Sequence, residues 1–288
     1  MHHLGRFEAI DYLVVGHITI DQTALGPRLG GSAAYAALTA KAFGWRPGIL
    51  TAWGEELPLG PLVDIPILNL GAERSSTFEN IYTATGDRAQ RYLPSLGPQL
   101  DFHFIPEAWR APRILHLAPV AQEVSARILS FFDDSFLGVT PQGWLRGWGP
   151  DGQVHRAEWE EAEHVLAQAD ACVLAREDLG GDQAQIERLA AACPLLVVTD
   201  GAAAVHIYTQ GEQLSVQPAA AEALDPTGAG DVFAAAFFIS MYQNADPLQA
   251  AKLASQLATR SVNYHGLAGV PSGDDVVDLL SSGLTEAF

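Results

Sequence analysis

Short runs of apolar and β-branched residues alternate with amphipathic segments along most of this chain. Residues 12–18 (YLVVGHI) are almost continuously apolar, the pattern of a strand buried on both faces. Similar runs recur at 48–52, 114–120, 136–139, 171–174 and 195–199. Between the later ones, the periodicity predicts helices over 122–132, 158–168 and 182–192. An Ala-rich helix is predicted over 32–43 (SAAYAALTAKAF), with Ser32 as N-cap and Gly44 as its stop. The Gly- and Pro-containing stretch before it, as far as Gly31, reads as a loop. Strands alternating with helices imply βαβ units: an α/β fold whose mostly parallel central sheet carries helices on both faces.

Two stretches interrupt the rhythm. Residues 76–83 and 88–93 flank a Thr-Gly-Asp turn and predict a hairpin, and 205–217 predicts a second. No internal repeat, low-complexity tract or linker is evident, so one domain over residues 1–288 with a small β appendage is expected.

Composition narrows the partners. The chain is 48% hydrophobic over 288 residues, enough for a sizeable core. Its formal net charge is −18 and its only lysines are Lys41 and Lys252, which argues against nucleic acid or an anionic membrane as partner. A phosphate ligand stays open, because backbone amides at a helix N-terminus hold anions without lysine. Cys172 and Cys193 lie in or beside apolar runs without metal or redox spacing and read as free buried thiols. The N-terminal residues lack a signal-peptide pattern and no apolar run approaches membrane-spanning length, so a soluble cytoplasmic protein is expected.

Candidate chemistry concentrates at 225–231, Asp-Pro-Thr-Gly-Ala-Gly-Asp, immediately before a strongly apolar helix (VFAAAFFISMYQ). Glycines at a helix entrance let the backbone turn sharply and approach a ligand. The unpaired N–H groups of the first turn and the helix dipole then favour an anion there. An aspartate in that turn, beside a captured phosphate, is placed to take a proton from an attacking hydroxyl. A dinucleotide fingerprint fails because Phe233 stands where its third glycine belongs, and a Walker loop fails because no Gly-Lys-Ser/Thr follows.

This string resembles the C-terminal motif of the ribokinase (PfkB) carbohydrate kinase family, Asp-x-Thr-Gly-Ala-Gly-Asp, at every fixed position. The resemblance implies a ribokinase-like fold, with the amides of Gly228, Ala229 and Gly230 as an anion hole and Asp231 as catalytic base. It also implies ATP as donor, Mg²⁺ as cofactor, a small-molecule hydroxyl as acceptor, and Thr227 on the nucleotide side. Gly16 to Asp21 (GHITID) resembles the family's first strand, whose last aspartate bonds substrate hydroxyls. Gly30-Gly31 before the Ala-rich helix resembles its Gly-Gly substrate motif. The first hairpin matches the family's substrate lid, so a β-lid from about 18–28 and 76–94 is expected, with Asn80, Tyr82 and Arg91 as candidates to face the substrate.

Several family positions are altered. Tyr35 stands where the family carries an asparagine that contacts sugar hydroxyls. The family's Asn-x-x-Glu appears as Ala175-Arg-Glu-Asp178, in which Asp178 either orients a magnesium-bound water or, with Glu177, caps the following turn. Thr199 and Gly201 belong to a segment resembling the Thr-x-Gly-x-x-Gly nucleotide motif, with its last glycine replaced by Ala204. Residues 258–266 resemble the adenine-pocket segment, which makes Asn263 and Gly266 candidates there and His265 a surface or packing residue.

Thr140-Pro-Gln142-Gly-Trp-Leu-Arg146 follows a strand, at the end where open α/β sheets bind ligands. Most ribokinase-like sugar kinases have Asp-Pro-Asn-x-Arg there, and this variant is closer to the myo-inositol kinase-like branch. Gln142 and Arg146 are then polyol- or phosphate-facing, the alternative being a tryptophan-rich packing turn. The acceptors expected are a cyclitol or other polyol first, a nucleoside second and a monosaccharide third, with a sugar phosphate lower. A pseudokinase-like nucleotide sensor and an ADP-dependent kinase are the rival readings, and a homodimer is compatible with all of them.

Overall fold

The computed structural model describes residues 7–82, 88–243 and 246–283. The chain opens with β1 (Tyr12–Val15), β2 (Thr19–Thr23), β3 (Gly26–Gly30) and α1 (Ser32–Ala42). Next come β4 (Pro47–Thr51), β5 (Ile67–Asn69), β6 (Thr77–Tyr82), β7 (Arg88–Leu93), β8 (Ile114–Leu117) and β9 (Phe136–Val139). A short pair, β10 (Arg146–Trp148) and β11 (Val154–Arg156), precedes α2 (Ala162–Leu166), β12 (Ala171–Ala175), α3 (Gln183–Ala192) and β13 (Leu195–Thr199). The last part comprises β14 (Val205–Thr209), β15 (Glu212–Val216), α4 (Ala229–Tyr242), α5 (Pro247–Ser261) and α6 (Gly273–Gly283).

Nine strands form the central sheet in the order β15-β14-β13-β12-β9-β8-β1-β4-β5. Pairing is parallel from β13 through β5, and only β14 and β15 run antiparallel, at one edge. Alternate residues of each strand enter opposite cores, as the period of a strand buried on both faces requires. Tyr12, Val14, Val173 and Val197 pack under α1, α4 and α5. Leu13, Val15, Leu174 and Val198 pack on the other face with Val165 of α2 and Ile186 of α3. Helix α4 is buried along its whole middle, Val232 to Ser240, which accounts for its nearly unbroken apolar sequence.

A second sheet of four strands, in the order β3-β2-β6-β7, stands beside the first. The stretch read as a loop before Gly31 is therefore mostly a hairpin, β2–β3, joined in parallel to β6. This small sheet is tied down at its base. His17 Nδ1 lies 2.7 Å from Ser76 Oγ, which lies 3.0 Å from the Tyr92 hydroxyl. Tyr92 N–H also donates to the Gly152 carbonyl in the β10–β11 turn.

Three local expectations change. Ser32 is the first residue of α1 rather than its cap; the cap is Gly31 at φ 92°, a conformation side chains disfavour. The helix expected over 122–132 gives way to 3₁₀ turns at Ala126–Phe131. Its first half is prevented by the Glu123 carboxylate, which accepts N–H bonds from His17, Val120 and Ala121 and holds the backbone in a turn. The helix over 158–168 shortens to α2 because Trp159 is buried against Trp144, ring centroids 5.3 Å apart, instead of following a helical face. Cys172 and Cys193 are free and buried as expected. No helix among the described residues is long and apolar enough to cross a membrane.

Candidate active site

A cavity of about 560 Å³ opens at the C-terminal ends of the parallel strands, between the two sheets and the head of α4. Its floor is the first turn of α4. Gly228 adopts φ 80°, and a Cβ there would collide with the ring of Tyr35. Of the amides in this turn, Ala229 N–H donates to the Pro226 carbonyl at 3.2 Å and Asp231 N–H to the Gly228 carbonyl at 3.0 Å. The N–H groups of Gly228 and Gly230 carry no hydrogen bond among the described residues and are free to meet an anion, whereas that of Ala229 is engaged.

Asp231 lies in the first turn of α4, partly open to the cavity. Burial pushes its carboxyl up to about 6, and the charges of Asp178 and Asp21 add to the rise. A hydrogen bond from Ser32 and the charge of Arg146 pull the other way. Ser32 was read as a helix cap, so its partnership with Asp231 was not visible in the sequence. Asp225, the first residue of the motif, latches two loops: Oδ1 accepts from Thr227 N–H and Oδ2 from Gly266 N–H, both at 3.0 Å. Burial raises its pKa, but the hydrogen bonds from Thr227 and Gly266 outweigh that and leave it lowered.

One wall gathers Asp21 from β2, Gly31 and Tyr35. Gly30 does not line the cavity, yet a Cβ at Gly30 would overlap the Asp21 carboxylate, so this glycine makes room for that group. The facing wall is the segment after β9. Gln142 Nε2 donates to Asp178 Oδ1 at 3.4 Å. The Arg146 guanidinium donates to the Val120 carbonyl at 3.3 Å and lies 5.4 Å from the centre of the Phe78 ring. Asp178 also accepts from Ala175 N–H at 3.2 Å, so it both caps the turn after β12 and reaches the cavity. Burial raises its pKa against the pull of Arg146. Phe78 and Gln90 also line the cavity, and the sequence reading had not picked them.

Val173, Val205, Phe233, Ala258 and Val262 add apolar lining, and Thr199, Gly201 and Thr227 line the cavity as well. Two candidates fall elsewhere. Asn263 is exposed and its amide turns back onto the carbonyls of Thr259 and Arg260, finishing α5. Gly266 serves the latch to Asp225 and does not line the cavity. In the small sheet, Arg91 is exposed and donates to the Asp151 carbonyl. Asn80 and Tyr82 belong to β6, but their side chains lie outside the described residues.

The pattern of the pfkB family carbohydrate kinases matches residues 154–272, which include the whole α4 turn. Over this segment the chain resembles the ribokinase/PfkB carbohydrate kinases, and its fold is that of the ribokinase family. Among curated relatives, the cytidine kinase of Thermococcus kodakarensis is 24% identical over 257 residues, 83% of this chain and 91% of that one. The ribokinase of Bacillus subtilis is 31% identical over 87 residues, 30% of each chain. The fold matches a solved pyrophosphate-dependent kinase of the ribokinase family, complexed with a pyrophosphate analog and myo-inositol, with TM-score 0.76 and 16% identity. That match covers 92% of this chain and 99% of the other.

Proposed function

We propose that this ribokinase-family kinase transfers the γ-phosphate of ATP to a hydroxyl of a small polyol, a cyclitol such as myo-inositol first among them. The observation that carries the reading is the α4 turn: a carboxylate and two unengaged amides in a cavity with both polar and apolar lining. Asp231 accepts the acceptor's proton, and a pKa near 6 makes it a stronger base than an ordinary aspartate while leaving it ionised at neutral pH. The Gly228 and Gly230 amides hold the transferring phosphoryl group, where position and electrostatics carry most of the catalysis. Asp21, Gln142 and Arg146 orient the acceptor. The apolar side chains of the lining, Val205 and Val262 among them, take the nucleobase, and Thr199, Gly201 and Thr227 meet the phosphates and ribose.

Asp178 is the carboxylate that would hold Mg²⁺ through a water, since this ion tends to bind through few carboxylates and the substrate phosphates. When bound, the ion neutralises charge on the phosphate oxygens. The four-stranded sheet acts as the lid of a single catalytic domain, excluding water from the transfer. A cytoplasmic setting, which supplies ATP and keeps Cys172 and Cys193 reduced, suits this reading.

The similarity to a cytidine kinase over most of both chains supports a nucleoside as second acceptor, with Phe78 as a stacking surface. The test is product analysis with Mg²⁺, ATP or pyrophosphate as donor, and myo-inositol, cytidine, ribose and a sugar phosphate as acceptors. Phosphorylated myo-inositol from ATP is expected. Turnover with pyrophosphate alone would overturn the nucleotide assignment. Cytidine phosphorylation would move the acceptor to the second reading, and tight ATP binding without any turnover would make the protein a sensor.

A further inference from the structure

Beneath the cavity, on three adjacent strands, lies a line of polar side chains that the mechanism above does not use. Tyr12 in β1, His116 in β8 and Thr140 just after β9 are all buried. The Tyr12 hydroxyl lies 2.8 Å from His116 Nδ1, and His116 Nε2 lies 2.9 Å from Thr140 Oγ1. The ring of Phe238 in α4 closes over His116, centroids 5.0 Å apart, so no water path reaches the imidazole from that side. Only Thr140 lines the cavity, beside Gln142 and Arg146.

The imidazole is neutral across the physiological range, because burial pushes its pKa down to about 3. One ring nitrogen therefore carries a proton and the other accepts one. The two arrangements are not equal. With the proton on Nδ1, His116 would donate to Tyr12, and the phenol's own O–H would be buried without an acceptor, since Tyr12 has no second partner among the described residues. Such an orphan loses its bond to water and gains none in return. With the proton on Nε2, Tyr12 donates to Nδ1 and Nε2–H donates to Thr140 Oγ1, so the one donor left open is the Thr140 hydroxyl, at the cavity where solvent or a ligand can take it. The second arrangement wins. Its consequence lies at the cavity end: Thr140 spends a lone pair on His116, has no other hydroxyl partner among the described residues, and keeps its own O–H for whatever occupies the cavity.

We propose that Thr140 is a specificity-determining residue that donates a hydrogen bond to an oxygen of the acceptor, with Tyr12 and His116 as positioning residues that fix the direction of that donor. This rests on the kinase reading above. Asp21, Asp178 and Asp231 offer acceptors to the ligand, so a fixed donor on the Gln142 wall favours a compound whose adjacent oxygens each give and take a proton. A polyol has that property at every carbon. An analogue lacking one oxygen leaves Thr140 unpaired, which such sites reject strongly.

Two measurements test it. Long-range ¹H–¹⁵N spectra of the free wild-type protein show which nitrogen of His116 carries the proton. Protonated Nε2 is expected, unchanged between pH 5 and pH 8, and a protonated Nδ1 overturns the proposal whatever the enzyme phosphorylates. Steady-state kinetics then compare Thr140→Val, Thr140→Ser and Tyr12→Phe with the best acceptor among myo-inositol, cytidine and ribose. Thr140→Val should raise the acceptor KM about tenfold with the ATP KM unchanged, the size of one lost hydrogen bond. Thr140→Ser should restore it. Tyr12→Phe, which leaves the cavity wall intact but frees the imidazole to reverse, should also raise the acceptor KM severalfold. An acceptor KM within twofold of wild type in Thr140→Val, or a change in the ATP KM instead, overturns the contact. No turnover by wild type with any of the three probes removes the kinase reading and the Thr140 contact with it, whereas the proton position on His116 is read independently.

Discussion

The ring of Tyr35 fills the space beside Gly228 in which any Cβ would stand. Tyr35 thus buttresses the turn at the head of α4. Its hydroxyl is buried without a partner among the described residues, and burial raises its pKa. The aromatic wedge and the φ of 80° at Gly228 fix the same turn by separate means.

Gly228→Ala therefore meets two obstacles at once. A non-glycine residue at positive φ costs about 1–2 kcal/mol, and displacing a packed ring costs about 1–3 kcal/mol more. We expect a lower melting temperature together with at least a tenfold fall in kcat, because the Gly228 amide turns away from the phosphoryl site. A variant with wild-type kcat would show that this amide does not face the transferring group.

Asp231→Asn should abolish most turnover and, at neutral pH, stabilise the fold. The folded carboxyl titrates near 6 against an ordinary 3.8, so the folded state binds the proton more tightly than the unfolded chain. That contribution is fully present below pH 3.8 and is lost as pH rises through 6. Above that range the ionised carboxylate costs the fold at most about 3 kcal/mol, less the solvent screening that its opening to the cavity provides. Denaturation at pH 8 and pH 4 checks the sign: the variant should be more stable than wild type at pH 8 and equal to it at pH 4. Equal stability at both would mean that Asp231 is not desolvated.

Ser32 supplies the strongest pull holding the Asp231 pKa down. In Ser32→Ala the base should titrate higher, so the acidic limb of the kcat/KM profile moves to higher pH while the plateau at alkaline pH is retained. A limb that stays in place would remove Ser32 from the site.

The central sheet was legible because β1, β8, β12 and β13 are buried on both faces and read as apolar runs interrupted in β8 only by His116 and ending in β13 at Thr199. The Asp231 turn was legible because its glycines and carboxylate stand at fixed local spacing before an apolar helix. What failed was non-local. Glu123 reaches the amide of His17, 106 positions away, and no periodicity over 122–132 carries that information. Asn263 turns its amide onto the carbonyls of its own helix and does not line the cavity, a direction that its sequence position does not carry. Thr140 and Ser32 are ordinary residues in sequence and acquire meaning only from His116 and Asp231.

Gly30 and Asp21 offer the sharpest test of the substrate wall. Gly30 pairs with Thr19 in the β2–β3 ladder and does not have a positive φ, so alanine fits its backbone. The nearest atom to an added Cβ is Asp21 Oδ2, so the methyl acts on that carboxylate before anything else. A displacement of about 1 Å in a positioning group costs up to about a hundredfold in rate. Gly30→Ala should therefore raise the acceptor KM or lower kcat by about tenfold or more, with little change in melting temperature or ATP KM. Asp21→Ala removes the carboxylate altogether and should cost more. If Gly30 acts only through Asp21, adding Gly30→Ala to Asp21→Ala has no further effect, because the two share one mechanism and cannot add. Additive losses would mean that Gly30 meets the acceptor directly, and the wall would then be built from backbone as well as from Asp21.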